Sequence, residues 1–290
     1  MATSMPSVLA EAETINVEEK EYTVKGYTLK QDLSSKKFTN EEIAHFLIDR
    51  FYICPICNKI QRGWALYEEK VDGIILRKFF LKCKHVFTTL TGLEVVDIEY
   101  KEMFVMWVRV ETVNVQLIQR SDSILNPYMQ YLQQVFRGTA SSQATIYLLL
   151  VSGVTSTSGS ALSGYISLGG GGGTGNANVG IVIGTSNVAN SPSTYALGGQ
   201  IGNGTASGQM QYGATNVTSL TTSGNTVSFQ VNRTYTNNSG ASITVAEVGI
   251  YFSDGGLGGF AFARDVLASA VTVANTTPIT VYYTIQLTIS

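Results

Sequence analysis

The chain holds three cysteines, all within its first 83 residues. Cys54 and Cys57 close a Cys-Pro-Ile-Cys turn, and Cys83 stands two residues before His85. A tight turn with a thiol at each end aims two thiolates at one point, as a tetrahedral metal site requires. The stretch Ile74–Phe87 (IILRKFFLKCKHVF) has the composition of a strand, on which residues two apart point to the same side. Cys54, Cys57, Cys83 and His85 therefore form a candidate Cys3His site for Zn2+. His45 is the only other histidine and the alternative fourth ligand. Three buried reduced thiols with a surface histidine are the plainer reading of the same residues. A closed shell of four protein ligands leaves no position for a substrate, so the metal expected here is structural.

The knuckle is similar to those of zinc ribbons, and the elements around it predict an α+β N-terminal domain. Thr39-Asn40-Glu41-Glu42 has the form of a helix start, with a capping side chain and two acids at the positive end. Ile43, Phe46, Leu47 and Phe51 would share one face of that helix. Residues 50–85 hold eight basic side chains against three acidic ones. Such a patch could meet phosphates, which makes nucleic acid a candidate partner. An ordinary solvated face has the same composition and is favoured. Val108–Leu117 alternates around Thr112 and is expected to be a strand with one wet face. Asn126-Pro127 opens a short helix with Tyr128, Tyr131, Leu132, Val135 and Phe136 in one stripe, ended by Gly138.

Charge almost vanishes beyond that point. Residues 1–137 contain 17 of the 19 basic and 18 of the 21 acidic side chains, whereas 24 of the 29 glycines lie at or beyond Gly153. Only Arg233, Glu247, Asp254, Arg264 and Asp265 remain charged after Gly138. One globular body draws surface charge from its whole length, so the break predicts two domains, 1–138 and 139–290. The second has little charge to keep it apart from its own copies.

Within that half, short alternating runs separated by turn clusters predict an all-β sandwich. They are Thr145–Val151, Ala161–Leu168, Val179–Gly184, Val227–Tyr235, Ile243–Phe252, Phe260–Val266 and Ile279–Ile289. A hairpin between Ile243–Phe252 and Phe260–Val266 would set Glu247 opposite Arg264 as a structural ion pair, with Arg233 the competing partner. The glycine run 169–173 lacks the Lys-Ser/Thr of a phosphate loop and is expected to be a flexible surface loop. Five N-x-S/T sequons occur, at Asn203, Asn216, Asn232, Asn237 and Asn275.

Several of these segments fall in an order that resembles one class of proteins. They are Val179-Gly-Ile-Val-Ile-Gly-Thr185, Tyr195-Ala-Leu197, Asn232-Arg-Thr-Tyr-Thr-Asn-Asn-Ser-Gly240, Glu247-Val-Gly-Ile-Tyr251, Ala263-Arg-Asp-Val-Leu267 and Thr280-Val-Tyr-Tyr-Thr-Ile-Gln-Leu287. Residues 178–290 resemble minor structural proteins of archaeal viruses and tailed phages that end in a jelly-roll-like sandwich. The resemblance implies a minor capsid, turret, vertex or tail component, made in the host cytoplasm and resident in the virion. It would contact identical copies and other virion proteins. A zinc-ribbon nucleic-acid-binding protein and a receptor-binding or adhesin knob are the alternatives. No histidine-containing triad or paired carboxylates stand out, so no enzyme is expected. The longest apolar run, Ile146–Val151, is far short of the roughly 20 residues of a membrane span, and no secretory signal is visible.

Overall fold

The structure, a computed structural model, describes residues 47–88, 93–96, 104–121, 171–253 and 259–288, with short pieces at 8–9, 14–17, 20–23, 28–29, 44–45, 146–149, 152 and 155–158. Its strands are β1 (Val8–Leu9), β2 (Thr14–Val17), β3 (Lys20–Thr23), β4 (Thr28–Leu29), β5 (Phe51–Ile53), β6 (Ile60–Val71), β7 (Ile74–Leu81), β8 (Val86–Phe87), β9 (Glu94–Val96) and β10 (Phe104–Glu111). They continue as β11 (Val115–Ser121), β12 (Ile146–Leu149), β13 (Thr155–Ser158), β14 (Gly180–Gly184), β15 (Gln211–Val217), β16 (Thr221–Ser223), β17 (Thr226–Thr236), β18 (Ile243–Ser253), β19 (Gly259–Val273) and β20 (Pro278–Thr288). The ladders are antiparallel.

Among the described residues, helical backbone is limited to Ala44, His45, Leu47 and Ile48. Among the described residues the first domain is almost wholly strand, and the α+β expectation is met there only by this short helical segment. Phe51 leaves the expected helix because it opens β5, opposite Arg62 on β6 and Val96 on β9. The helix expected at 126–138 and the strand at 161–168 lie outside the described residues. The single strand expected at 108–117 is two strands, β10 and β11, separated at Thr112. The Thr112 hydroxyl accepts the backbone N–H of Val115 at 3.0 Å, and Thr112 N–H donates to Val115 O at 2.8 Å.

Two compact units emerge, residues 1–102 with 116–120 and residues 103–115 with 121–290. The division falls ahead of Gly138 because β10 pairs with β20 along its length, from Phe104 opposite Leu287 to Glu111 opposite Thr280.

The first unit is built on the β6–β7 hairpin. Its Asp72-Gly73 turn has positive φ at both residues, 49° and 79°, the geometry that suits the twist of a two-residue hairpin. Leu47, Ile48, Tyr52, Ala65, Leu66, Phe79 and Leu81 are buried around it. Gly63 lets the helical segment approach, since a Cβ there would sit 2.7 Å from Leu47 O and 2.8 Å from Ile48 Cα.

The second unit is β-sandwich-like. One sheet runs β15-β17-β20-β10, with β16 on β17, and the other runs β14-β18-β19. Hydroxyls join the two sheets: Tyr235 Oη on β17 donates to Ile181 O on β14 at 2.8 Å, and Tyr283 Oη on β20 donates to Asp265 on β19 at 2.9 Å. Val231 and Tyr235 on β17, and Ile279, Val281 and Tyr283 on β20, project into the core at every second position, the period a half-buried strand requires. Strands β14 and β18 are buried on both faces. Their outer face lies under the segment after β14: Leu197 packs where a Cβ on Gly249 would come within 2.7 Å of its Cδ1.

Candidate metal centre and the internal charges

Two knuckles converge in the first unit. In one, Asn58 N–H bonds to Cys54 O at 2.8 Å and Cys54 N–H to Lys59 O at 3.0 Å, with Asn58 in the left-handed region at φ 52°. In the other, Lys84 N–H bonds to Leu81 O at 2.8 Å and Leu81 N–H to His85 O at 3.1 Å, with Lys84 at φ 66°. Cys83 and His85 thus lie on a turn after β7, not on the strand expected through Phe87. The turn brings the pair to the same place by another route.

The Sγ atoms of Cys54, Cys57 and Cys83 and a ring nitrogen of His85 lie within 4.8 Å of one another. His85 Nδ1 is 3.3 Å from both Cys54 Sγ and Cys83 Sγ. Zn–S bonds of ~2.3 Å and Zn–N of ~2.0 Å imply ligand separations of about 3.6 Å, so this donor set fits a tetrahedral ion. His45 stands outside the group. The thiols differ in acidity. Burial raises Cys54, but hydrogen bonds from the backbone of Cys57 and Ile56 outweigh it and bring the thiol down to about 7. Burial, helped by the neighbouring thiols, pushes Cys83 up to about 11. Cys54 is thus readily available as thiolate, and a bound cation would favour release of the Cys83 proton.

The basic patch around the knuckles is divided. Lys59, Lys70, Lys78, Lys82 and Lys84 are exposed. Two of its three arginines are held by carboxylates: Arg62 reaches Asp49 at 3.2 Å, which Arg120 also reaches at 2.6 Å, and Arg77 pairs with Glu68.

Among the described residues from 171 onward, the charged side chains point inward. Glu247 is fully buried, and Arg264 Nε donates to its Oε2 at 2.6 Å. Glu247 sits opposite Val266 and Arg264 opposite Gly249, so the pair is diagonal, two positions from the direct opposition expected. Gly184 leaves room for the carboxylate, since a Cβ there would sit 2.8 Å from Glu247 Cγ. The remaining bonds of both groups go to the segment between β14 and Gln200. Glu247 accepts backbone N–H groups of Ser186 at 3.3 Å, Gly198 at 3.0 Å and Gly199 at 2.7 Å. Arg264 donates to Asn190 Oδ1 at 2.5 Å and Val188 O at 2.9 Å.

Arg233 has a role that the sequence reading missed. It is fully buried, and its guanidinium donates to five main-chain carbonyls and not to Glu247, for which it was the alternative partner. These are Gly213 O (2.8 Å), Val179 O (2.9 Å), Ile181 O (2.9 Å), Gly173 O (3.0 Å) and Asn176 O (2.7 Å). The cation lies over the rings of Tyr212 and Tyr235, at 4.7 and 5.9 Å. Every donor of the fork is satisfied, which is what makes its burial tolerable. Desolvation still lowers its pKa. The signal was the phase of β17, where Arg233 falls on the same face as Val231 and Tyr235. The end of the glycine run is therefore pinned: Arg233 holds Gly173, and Gly172 O accepts Thr215 N–H at 2.8 Å. This corrects the flexible-loop expectation for those two residues.

Asp265, 2% exposed, accepts hydroxyl bonds from Ser121 and Tyr283, both at 2.9 Å. Of the sequons, Asn237 is buried with its amide donating to Ala241 O and Val273 O at 2.8 Å, which closes it to modification in the folded state. No helix among the described residues is long and apolar enough to cross a membrane. Comparison of the chain with protein-family models, with curated proteins and with solved structures finds no match.

Proposed function

We propose that the protein is a non-catalytic structural component that assembles with copies of itself through its β-sandwich-like unit, with a zinc-stabilised unit as docking module. One observation carries this reading. Arg233, Glu247, Arg264 and Asp265, the charged residues described between 171 and 288, are all at most 2% exposed. The described exterior of that stretch is uncharged, and uncharged surfaces approach their own copies without repulsion. The resemblance of residues 178–290 to minor structural proteins of archaeal viruses and tailed phages supports a place in a virion, as a minor capsid, turret, vertex or tail element with a jelly-roll-like body. Cys54, Cys57, Cys83 and His85 would hold Zn2+ with no position left for substrate, so the ion's contribution is to cross-link two turns of a cysteine-poor chain.

A nucleic-acid role through residues 50–85 is less well supported, because Arg62 and Arg77 are engaged by Asp49 and Glu68. Native mass spectrometry of the full chain tests the proposal. The expected spectrum is a closed multiple of the chain with one zinc per copy. A monomer at all concentrations would overturn the assembly reading, and a metal-free chain purified without chelator would overturn the zinc reading.

A further inference from the structure

We infer that the knuckle end of the first unit docks on an anionic lipid surface; the inference rests on the reading of that unit as a docking module and names its partner. The ligating atoms of Cys54, Cys57, Cys83 and His85 meet within 4.8 Å, so the residues interleaved with them are gathered around one point. Ile56 stands between two of the cysteines and Lys84 between Cys83 and His85, while Lys59, Ile60 and Val86 follow directly after the two knuckles.

These residues combine exposed aliphatic surface with charge of one sign. Ile56 is 62% exposed, Ile60 52% and Val86 44%. Lys59 and Lys84 are exposed among them, and Lys82 lies beside them over the Trp64 ring at 5.5 Å. No acidic residue occurs between Asp49 and Glu68 or between Asp72 and Glu94, the two stretches that contain the knuckles. Both knuckles are tight turns whose backbone reverses through a residue of positive φ, Asn58 in one and Lys84 in the other. The isoleucines and lysines therefore stand at turn tips and not in a groove.

Aliphatic tips ringed by ammonium groups match a bilayer interface with anionic headgroups. The isoleucines would enter the boundary between headgroups and acyl chains, while the lysine stems lie along it and keep their charges at the lipid phosphates. Nucleic acid would meet the same charges but leave the isoleucines against hydrated phosphates. It would also find no stacking platform, since the large hydrophobics exposed among the described residues of this unit are all aliphatic. An acidic protein would need a pocket cut to two protruding turns, whereas a fluid interface accommodates them. So few anchors hold one copy weakly, and several copies in one assembly multiply the attachment.

Flotation of the full chain with vesicles tests this, using phosphatidylcholine alone and phosphatidylcholine mixed with phosphatidylglycerol at roughly two to one. Wild type is compared with Ile56→Ser/Ile60→Ser, with Lys59→Gln/Lys84→Gln, and with Leu220→Ser, a site 66% exposed in the second unit. Thermal melting checks the fold of each variant, and native mass of the same samples reads zinc content and copy number. Wild type should float with the mixed vesicles and not with phosphatidylcholine alone. The lysine pair should weaken that partition roughly thirtyfold and the isoleucine pair roughly tenfold, with Leu220→Ser unchanged. An isoleucine variant that floats as well as wild type would reduce the contact to charge, which soluble polyglutamate would satisfy equally, and would overturn the bilayer as partner. A wild type that assembles and holds zinc but floats with neither vesicle would overturn the inference and leave the proposed function in place. A chain that neither holds zinc nor floats would overturn both.

Discussion

The two units use ionic groups in opposite ways. In the first, carboxylates and guanidinium groups meet near the surface: Asp49, whose side chain is 48% exposed, serves both Arg62 and Arg120, and five lysines are exposed, with Lys78 and Lys82 lying over the rings of Tyr67 and Trp64. Three cysteines and a histidine also gather there as a candidate metal site. The second unit has no cysteine, and the charged side chains described after residue 170 serve as internal ties. Arg233 closes the free edge of β14 by taking Val179 O and Ile181 O, and it holds Gly173 and Asn176 to β15 through Gly213. Glu247 and Arg264 tie down the loop over the other sheet. Apart from the Arg109–Glu111 pair on β10, whose side chains are 20% and 42% exposed, the described exterior of the unit is neutral because of where the few charges went, and not only because of how few there are.

The contrast can be broken most forcefully at Arg233. Arg233→Ala removes five bonds, one to the buried carbonyl of Ile181 and four to part-buried carbonyls, and an expected loss of about 4 kcal/mol in denaturant-unfolding stability follows. Arg233→Lys should recover only part, because an ammonium offers three donors on one atom. Glu247→Gln comes next, at about 3 kcal/mol, and Arg264→Met on that background should cost less than it does alone, as a double-mutant cycle would measure.

Alkaline pH sharpens the comparison without mutation. Burial raises Tyr235 and Tyr283 well above the usual phenol value and Tyr212 to about 12. The unfolded chain releases those protons near pH 10 while the folded one keeps them. Their contribution to stability is therefore full below about pH 10 and declines as pH rises toward and beyond 12. Unfolding midpoints taken across that range should fall, and phenolate absorbance of the buried tyrosines should rise together with unfolding. Gradual ionisation without loss of structure would contradict their burial. The smallest effect belongs to the first unit's surface. Asp49→Asn should cost less than about 1 kcal/mol, and that cost should shrink in high salt, whereas the Glu247→Gln cost should not.

How much of this was legible in the sequence depended on the kind of signal. The four members of the metal cluster could be named because their residue types are scarce, although a turn and not a strand presents Cys83 and His85. Strands β14, β17, β18 and β20 stood out through their apolar alternation. Strands β15 and β16 did not, since Gln211–Val217 and Thr221–Ser223 are built largely of Thr, Gly, Asn and Ser and lie at a mostly exposed margin of the sheet. The helical phase read through Phe51 ran too far, because that residue opens β5. Glu247 and Arg264 were named as a pair, yet their register required knowing that Glu247 has Val266 opposite and that an irregularity follows Ile250. Bulges leave little trace in composition. Arg233 was harder, because its partners are main-chain carbonyls, which no sequence pattern marks.

Ionic strength tests the central claim most directly. If copies meet through neutral surfaces whose charges are tied up inside, the association constant of the full chain, followed by sedimentation from low to high salt, should stay flat or rise slightly. A steep fall with added salt would mean that exposed ions hold the assembly together, which would contradict self-contact through an uncharged face.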